Sequence, residues 1–375
     1  MSSIGSEPIA GRVERVADAV AAADVGALLV STPVNVRYLT GFTGSSGLAV
    51  IAAQPSEGER ATGHRFITDF RYATQASEEV SDAFAREVVA DKPLDAVALC
   101  VGTAGGRLGF EETSLTVAEH RRLGERLAEG WRLVPCEGIV EHLRAIKDPG
   151  ELERIRAAAS LADEAMRGLL EEGIVGRSER DVAGELELRM RRLGADGASF
   201  EPIVAAGAHG ALPHATPRDR EIPADALVTV DWGARLAGYC SDCTRTFATG
   251  EGVSQRAREI YQLVREAQER ALQGVRAGLT GPEVDALARG VIEQAGEGEH
   301  FGHGLGHGVG MEVHEGPRLS RTAGKSPLQA GNVVTVEPGV YLPGELGVRI
   351  EDLVIVTEDG GEALTTISKE LTVVA

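Results

Sequence analysis

The stretch VVTVEPGVYLPGELGVRIED, residues 333–352, contains a phrase with an earlier counterpart: VTVEPG at 334–339 echoes VTVDWG at 228–233. Both run from a β-branched strand signal into a carboxylate and then a glycine. The elements ahead of each phrase recur as well. Asp148 as N-cap, Pro149 in the first helical position and Glu151 at the third open a long amphipathic helix, and Ser178 opens a second that runs to about Leu193. Then PIVAAG (202–207), LVTVDWGA (227–234) and YCSDCTRTF (239–247) read as strands. The order starts again with Ser254 capping a helix to about Arg276 and TGPE (280–283) capping another to about Gln294, after which strands return. A helix-helix-strand-strand unit given twice predicts an internal duplication, its two half-sheets meeting about a pseudo-twofold axis.

Each phrase opens a hairpin, and the hairpins decide where the charges go. A turn around Arg235 to Gly238 centres the first so that Asp231 faces Asp242, and a turn around Pro343 to Glu345 centres the second so that Glu337 faces Glu351. Facing side chains have Cβ atoms about 4.5–5.5 Å apart, where like charges repel. Flanked by Val, Leu and Ile, such pairs are costly in a core unless cations lie between them. Four carboxylates and an imidazole suit a pair of divalent ions, Mn²⁺, Co²⁺, Fe²⁺ or Zn²⁺, about 3.5–4 Å apart. The imidazole is sought in GHGLGHGVGMEVHEGPRLS (302–320), which holds His303, His307 and His314; His214 in ALPHATP (211–217) is a fourth candidate. Glycines at 302, 304, 306, 308 and 310 argue against a helix there and leave one face of an extended chain bare for close approach by backbone or substrate. Cys240 and Cys243 form a C-x-x-C, but an odd separation on a strand sends the thiols to opposite faces, so both read as packing residues.

Upstream, residues 10–24 carry helical spacing, and ALLVS (27–31), GLAVIAA (47–53), RFITD (65–69), EVVA (87–90), AVALCVG (96–102) and RLGF (107–110) read as short strands. Thr116 with Glu119 forms a capping-box pattern. The glycine-rich YLTGFTGSSG (38–47) lacks a following Gly-Lys-Ser/Thr and reads as a connector or rim loop, not a phosphate cradle. Composition changes near residue 140. The expected organisation is therefore an α/β domain over residues 1–138 and an internally duplicated α+β domain over 139–375. A chain of 375 residues, 43% hydrophobic and 25% charged, has ample apolar sequence for two cores. Its formal net charge of -19 makes nucleic acid and anionic membrane surfaces poor partners. With no basic-then-apolar leader, no window of about 18 apolar residues, and only Cys100, Cys136, Cys240 and Cys243, the expectation is a cytoplasmic protein without a disulfide framework.

These residues also carry a resemblance. YLTGFTGSSG, LRAIKDPGELERIR, ALPHATP, DWGARLAGYCSDCTRTF, FGHGLGHGVGMEVHEGP and VEPGVYLPGELGVRIED, in that order, resemble segments of the pita-bread-fold metallopeptidases. That family includes methionine aminopeptidase, aminopeptidase P and prolidase, together with the metal-free creatinase. The resemblance implies a creatinase/aminopeptidase-like pita-bread catalytic domain preceded by a creatinase/prolidase-like N-terminal domain. It implies that Asp231 chelates one metal, that Asp242 and Glu351 bridge two, and that His307 and Glu337 complete the other metal's shell, with Mn²⁺ the leading candidate. Glu337 would also shuttle a proton. His214 and His314 would hydrogen-bond the substrate and the developing oxyanion, His303 resembles a further histidine of the proline-specific members, and Arg349 would orient a ligand from behind. The implied reaction is hydrolysis of Xaa-Pro bonds at the N-termini of small peptides, as in aminopeptidase P. Arg318 sits where some prolidases have an arginine proposed to bind a dipeptide's carboxylate, which implies Xaa-Pro dipeptidase as the alternative. A creatinase-like amidino hydrolase and a non-catalytic binding module are more distant alternatives, and the complete five-ligand set stands against both. A homodimer is also implied.

Overall fold

The computed structural model describes residues 8–53 and 63–375; the first seven residues of the opening read for a leader lie outside them. Contacts divide the chain into two units, one closing at Arg144 and the other running from Ala145 to Ala375.

Among the described residues of the first unit six strands form one mixed sheet, in the order Ala85–Val89, Arg65–Asp69, Gly47–Ala52, Ala27–Val30, Gly106–Glu111 and Trp131–Cys136. Strand Ala27–Val30 is buried along its whole length, antiparallel to one neighbour and parallel to the other, which is why its sequence is apolar without alternation. AVALCVG is not a strand. It belongs to the helix Pro93–Val101, opened by Pro93 in the first turn, with Leu94, Ala96 and Val97 buried and Leu99 left 84% exposed. An unbroken apolar run cannot separate helix from strand by period, and the proline three residues upstream was the deciding signal. In YLTGFTGSSG the first three residues close the helix Pro33–Thr40, and the connector begins at Gly41.

The second unit follows the repeated order. Helices Pro149–Glu172 and Glu179–Arg192 precede strands Ile203–Ala206, Leu227–Trp232 and Cys243–Ala248; helices Gln255–Gly274 and Gly281–Gln294 precede strands Val333–Val336, Gly339–Leu342, Leu346–Arg349 and Asp352–Val356. All four helices start in a capping arrangement legible in sequence: boxes at Asp148 with Glu151 and Thr280 with Glu283, Ser178 accepting from the Asp181 amide, and Ser254 accepting from the Ala257 amide. Each helix pair buries an apolar face on its own half-sheet. Met166, Leu169, Leu186 and Met190 pack with Val228, Val230, Trp232 and Phe247, while Ile260, Val264 and Ile292 pack with Val336, Val340 and Val348. Trp232 is fully buried and its indole N–H donates to the Ala162 carbonyl at 3.0 Å, so truncating it to Ala is expected to cost about 3–5 kcal/mol.

The half-sheets are joined by hydrogen bonds through their centre. The Glu351 amide donates to the Thr244 carbonyl at 3.0 Å, the Thr246 hydroxyl donates to the Arg349 carbonyl at 3.0 Å, and the Thr229 hydroxyl reaches the Gly347 carbonyl at 3.3 Å. The glycines of the 302–310 segment lie in this framework. A side chain at Gly306 would collide with the Thr335 carbonyl oxygen, and one at Gly308 with that of Gly316, so the bare face expected of this segment admits neighbouring backbone.

Candidate metal centre

Both hairpins kink where their acidic residues lie. The first pairs Asp231 with Thr244 and Trp232 with Cys243, then resumes beyond a break as Arg235 with Cys240 and Leu236 with Tyr239. Asp231 is therefore not opposite Asp242, and YCSDCTRTF is two strands interrupted at Ser241 and Asp242. The reason is the turn, which is a tight pair, Ala237 and Gly238, both with positive φ (50° and 83°). Its centre lies one residue further on than expected, which moves the register by two. A two-residue shift keeps side chains on the same face. The two carboxylates still converge, as diagonal neighbours. The second hairpin has the expected register, with Val336 opposite Asp352 and Gly339 opposite Arg349 bracketing Glu337 and Glu351.

Asp231, Asp242 and Glu351 each place a carboxylate oxygen within 4.8 Å of the others. The fourth carboxylate, Glu337, lies 3.3 Å from His307 Nε2, and that nitrogen is 3.7 Å from Asp242. His307 Nδ1 donates to the Gly308 carbonyl at 3.1 Å, which fixes the proton on Nδ1 and leaves Nε2 for the cluster. The His307 amide in turn donates to the Thr335 hydroxyl at 3.0 Å, and that hydroxyl donates to Glu337 at 3.0 Å. The Thr244 hydroxyl donates to Glu351 at 2.6 Å.

Burial, reinforced by the neighbouring carboxylates, pushes the pKa of Asp242 and Glu351 well up. Asp231 is also raised, first by burial and then by Glu337, against the opposing charge of Arg349. Burial would raise Glu337 too, but the His307 hydrogen bond and charge overcome it and hold the carboxyl down at about 2. Asp231 Oδ1 is buried without a hydrogen-bond partner. Crowded anionic oxygens, one orphaned and three held against their ionisation, fit the two divalent cations that the sequence implied. The five residues that could hold them are all within this cluster.

The other expected residues surround it. Arg349, 4% exposed, donates to Asp231 at 2.7 Å, the Thr244 hydroxyl at 3.1 Å, the Tyr341 hydroxyl at 2.9 Å and the Pro213 carbonyl at 3.1 Å. His303 Nδ1 donates to the Gly304 carbonyl at 2.8 Å, and its Nε2 accepts from the Tyr341 hydroxyl at 2.9 Å. The His314 ring meets His307 edge-on at 4.3 Å. His214 is exposed, and its charge lowers the pKa of both His303 and His314, in each of which burial is the larger cause. Arg318 is exposed on the strand Glu315–Leu319, paired across the ladder with His307. Cys240 and Cys243 are free, buried and packed into different apolar clusters.

Sequence reasoning missed Tyr341, Thr244 and Thr335. Thr335 had a signal, since it is the threonine of the repeated V-T-V phrase; its hydroxyl goes to Glu337, while that of its counterpart Thr229 goes to the central joint.

The chain is similar to known proteins along most of its length. A model described as metallopeptidase family M24 matches residues 153–358, and one described as the creatinase/prolidase N-terminal domain matches residues 12–146. An uncharacterised peptidase of Bacillus subtilis is 44% identical over 92% of this chain and 95% of its own, and a Xaa-Pro dipeptidase of Pyrococcus furiosus is 36% identical over 92% and 94%. Among solved structures, a Xaa-Pro dipeptidase from Bacillus anthracis superposes with a TM-score of 0.91 at 40% identity, covering 98% of this chain and 100% of that one. An X-Pro aminopeptidase from Thermotoga maritima gives 0.83 at 35% identity, covering 93% and 98%.

Proposed function

This chain belongs to metallopeptidase family M24, a pita-bread catalytic domain behind a creatinase/prolidase N-terminal domain, and we propose that the peptide bond it hydrolyses is Xaa-Pro at a peptide's N-terminus. The observation that carries the reading is the convergence of Asp231, Asp242 and Glu351 within 4.8 Å beside the His307–Glu337 pair. Asp231 would hold one cation, Asp242 and Glu351 would be shared by both, and His307 and Glu337 would be direct ligands of the other. Two divalent cations bound there would supply the positive charge that acidifies water and polarises a carbonyl at neutral pH. Glu337, oriented by the Thr335 hydroxyl, would be the base that takes the attacking water's proton and passes it to the leaving nitrogen. His214 and His314 donate to the substrate carbonyl oxygen, and His303, fixed by Tyr341 and Gly304, borders the substrate. Arg349 keeps Asp231 in place. Proline suits such a site because its bond to the preceding residue lacks the N–H that strand-binding peptidases use.

Restriction to dipeptides is a second reading, favoured by Arg318 on the strand beside His307, where a guanidinium can meet a free C-terminal carboxylate. The same proposal takes Mn²⁺ as the working metal, with Co²⁺, Zn²⁺ or Fe²⁺ able to substitute in an oxygen-rich donor set. It also takes a homodimer in the cytoplasm, where four free cysteines are at home. No helix among the described residues is long and apolar enough to cross a membrane. Chelated protein is expected to lose, and with Mn²⁺ or Co²⁺ to regain, hydrolysis of Ala-Pro and Ala-Pro-Xaa peptides. Cleavage of Ala-Pro alone selects the dipeptidase reading, and cleavage of neither ends the proposal.

A further inference from the structure

The helix Glu179–Arg192 has its cap in Ser178, so the first-turn carboxylate of Glu179 is free for another use. It is 2% exposed and points away from its own helix into a second segment. There it accepts from the Ala206 amide at 2.9 Å, from His209 Nδ1 at 2.8 Å and from the Arg218 amide at 2.9 Å. Ala206 and Arg218 are the two ends of one excursion of the chain, His209 is in its first turn, and His214 is near its tip. The helix start adds two backbone ties to the same base, Glu179 N–H to the Arg220 carbonyl and Arg180 N–H to the Arg218 carbonyl, both at 3.1 Å. The far side of the excursion lies backbone to backbone against the strand Leu346–Arg349, where Gly347 meets Gly210 and Arg349 donates to the Pro213 carbonyl. His214 itself is exposed, so the place of its ring depends on how the segment beneath it is held.

We propose that Glu179 is a positioning residue for the hydrolytic site: one buried carboxylate closes residues 206–218 into a rigid loop and so fixes His214 relative to His303 and His314. A carboxylate is suited to this because it accepts several charge-assisted hydrogen bonds at once and, when buried, is costly to leave unpaired. Small displacement of a substrate-orienting group is enough to slow a reaction about 100-fold. The inference rests on the proposed peptidase role of His214, but the clamp has a readout of its own.

The test uses full-length, Mn²⁺-loaded protein with Ala-Pro as substrate, in four forms besides the native one: Glu179→Ala, Glu179→Gln, His214→Ala and the double variant Glu179→Ala with His214→Ala. Glu179→Ala is expected to lower kcat about 100-fold with a smaller change in KM, and Glu179→Gln, which keeps one acceptor oxygen, to recover part of it. In the His214→Ala background the Glu179 substitution is expected to cost little more, the non-additivity of two residues acting through one group. Hydrogen exchange is expected to speed up at the 207–217 amides in Glu179→Ala and to stay unchanged in the helix Gln255–Gly274. Fully multiplicative effects, or unchanged exchange in the loop, overturn the proposal. If Glu179→Ala does not fold, Glu179→Gln is read by the same cycle and the same exchange measurement. If the native protein cleaves no Xaa-Pro bond, the peptidase reading fails, and loop exchange still judges the clamp.

Discussion

At the scale of single residues, Asp242 and Glu351 matter most because each faces both the other acidic groups and the opposite half of the fold. Replacing either with Ala is expected to reduce turnover by more than about 100-fold, since even partners one step removed from a metal cost 10–100-fold. Steady-state assay with metal analysis checks this, and retained turnover contradicts the bridging assignment. Arg349→Gln is expected to weaken metal binding by about 10–100-fold in a calorimetric titration, through the loosened Asp231, and unchanged affinity would remove Arg349 from the site. The carboxylates were legible because ionisable residues set among Val and Ile demand an explanation wherever they occur. The four partners of Arg349 were not, since they come from positions 213, 231, 244 and 341, and no local pattern announces that these meet.

Among the elements, the hairpins carry the lesson about register. The second was placed correctly because Pro343 and Gly344 mark its turn, whereas the first was misjudged because Ala237 gives no sign of the left-handed conformation it adopts. Parity rescued the site even so: an error of two positions changes which residue is opposite and leaves unchanged which face each one joins. The same backbone makes a prediction. Ala237 takes φ near 50° at a cost of about 1 kcal/mol, and Asn-Gly is the preferred pair for such a turn. Ala237→Asn is expected to raise the unfolding free energy by about 1 kcal/mol without altering activity, measured by denaturant titration; destabilisation would mean that the turn is not under strain. Helix starts were the most readable feature because capping is local chemistry, and AVALCVG the least, because unbroken apolarity has no period to read.

For the molecule as a whole, the acidic cluster ties stability to pH in opposite senses with and without metal. Asp231, Asp242 and Glu351 have folded-state pKa values raised above the ordinary 3.8 to 4.5. Such groups contribute fully below the ordinary values and are increasingly unfavourable as pH rises through the raised ones. Glu337 has the opposite sign, contributing above its ordinary value and losing that contribution as pH falls toward about 2. The three raised groups make the chelated protein less stable as pH rises above the ordinary carboxylate range. Cations bind only the deprotonated donors, so the stability they add grows with the same rise. Thermal unfolding with and without Mn²⁺ above that range is expected to show a widening gap in Tm, and a constant gap would place the metals elsewhere.

The central joint has one further consequence. Asp231 and Asp242 come from the first half, Glu337 and Glu351 from the second, and the oxygens that converge are up to 120 positions apart in the chain (351 − 231). Such a donor set exists only after the halves have docked. The cations therefore arrive too late to hasten folding, and act instead as a latch on the finished structure: refolding keeps its pace while unfolding slows, so that metal governs how long the protein lasts more than how fast it forms.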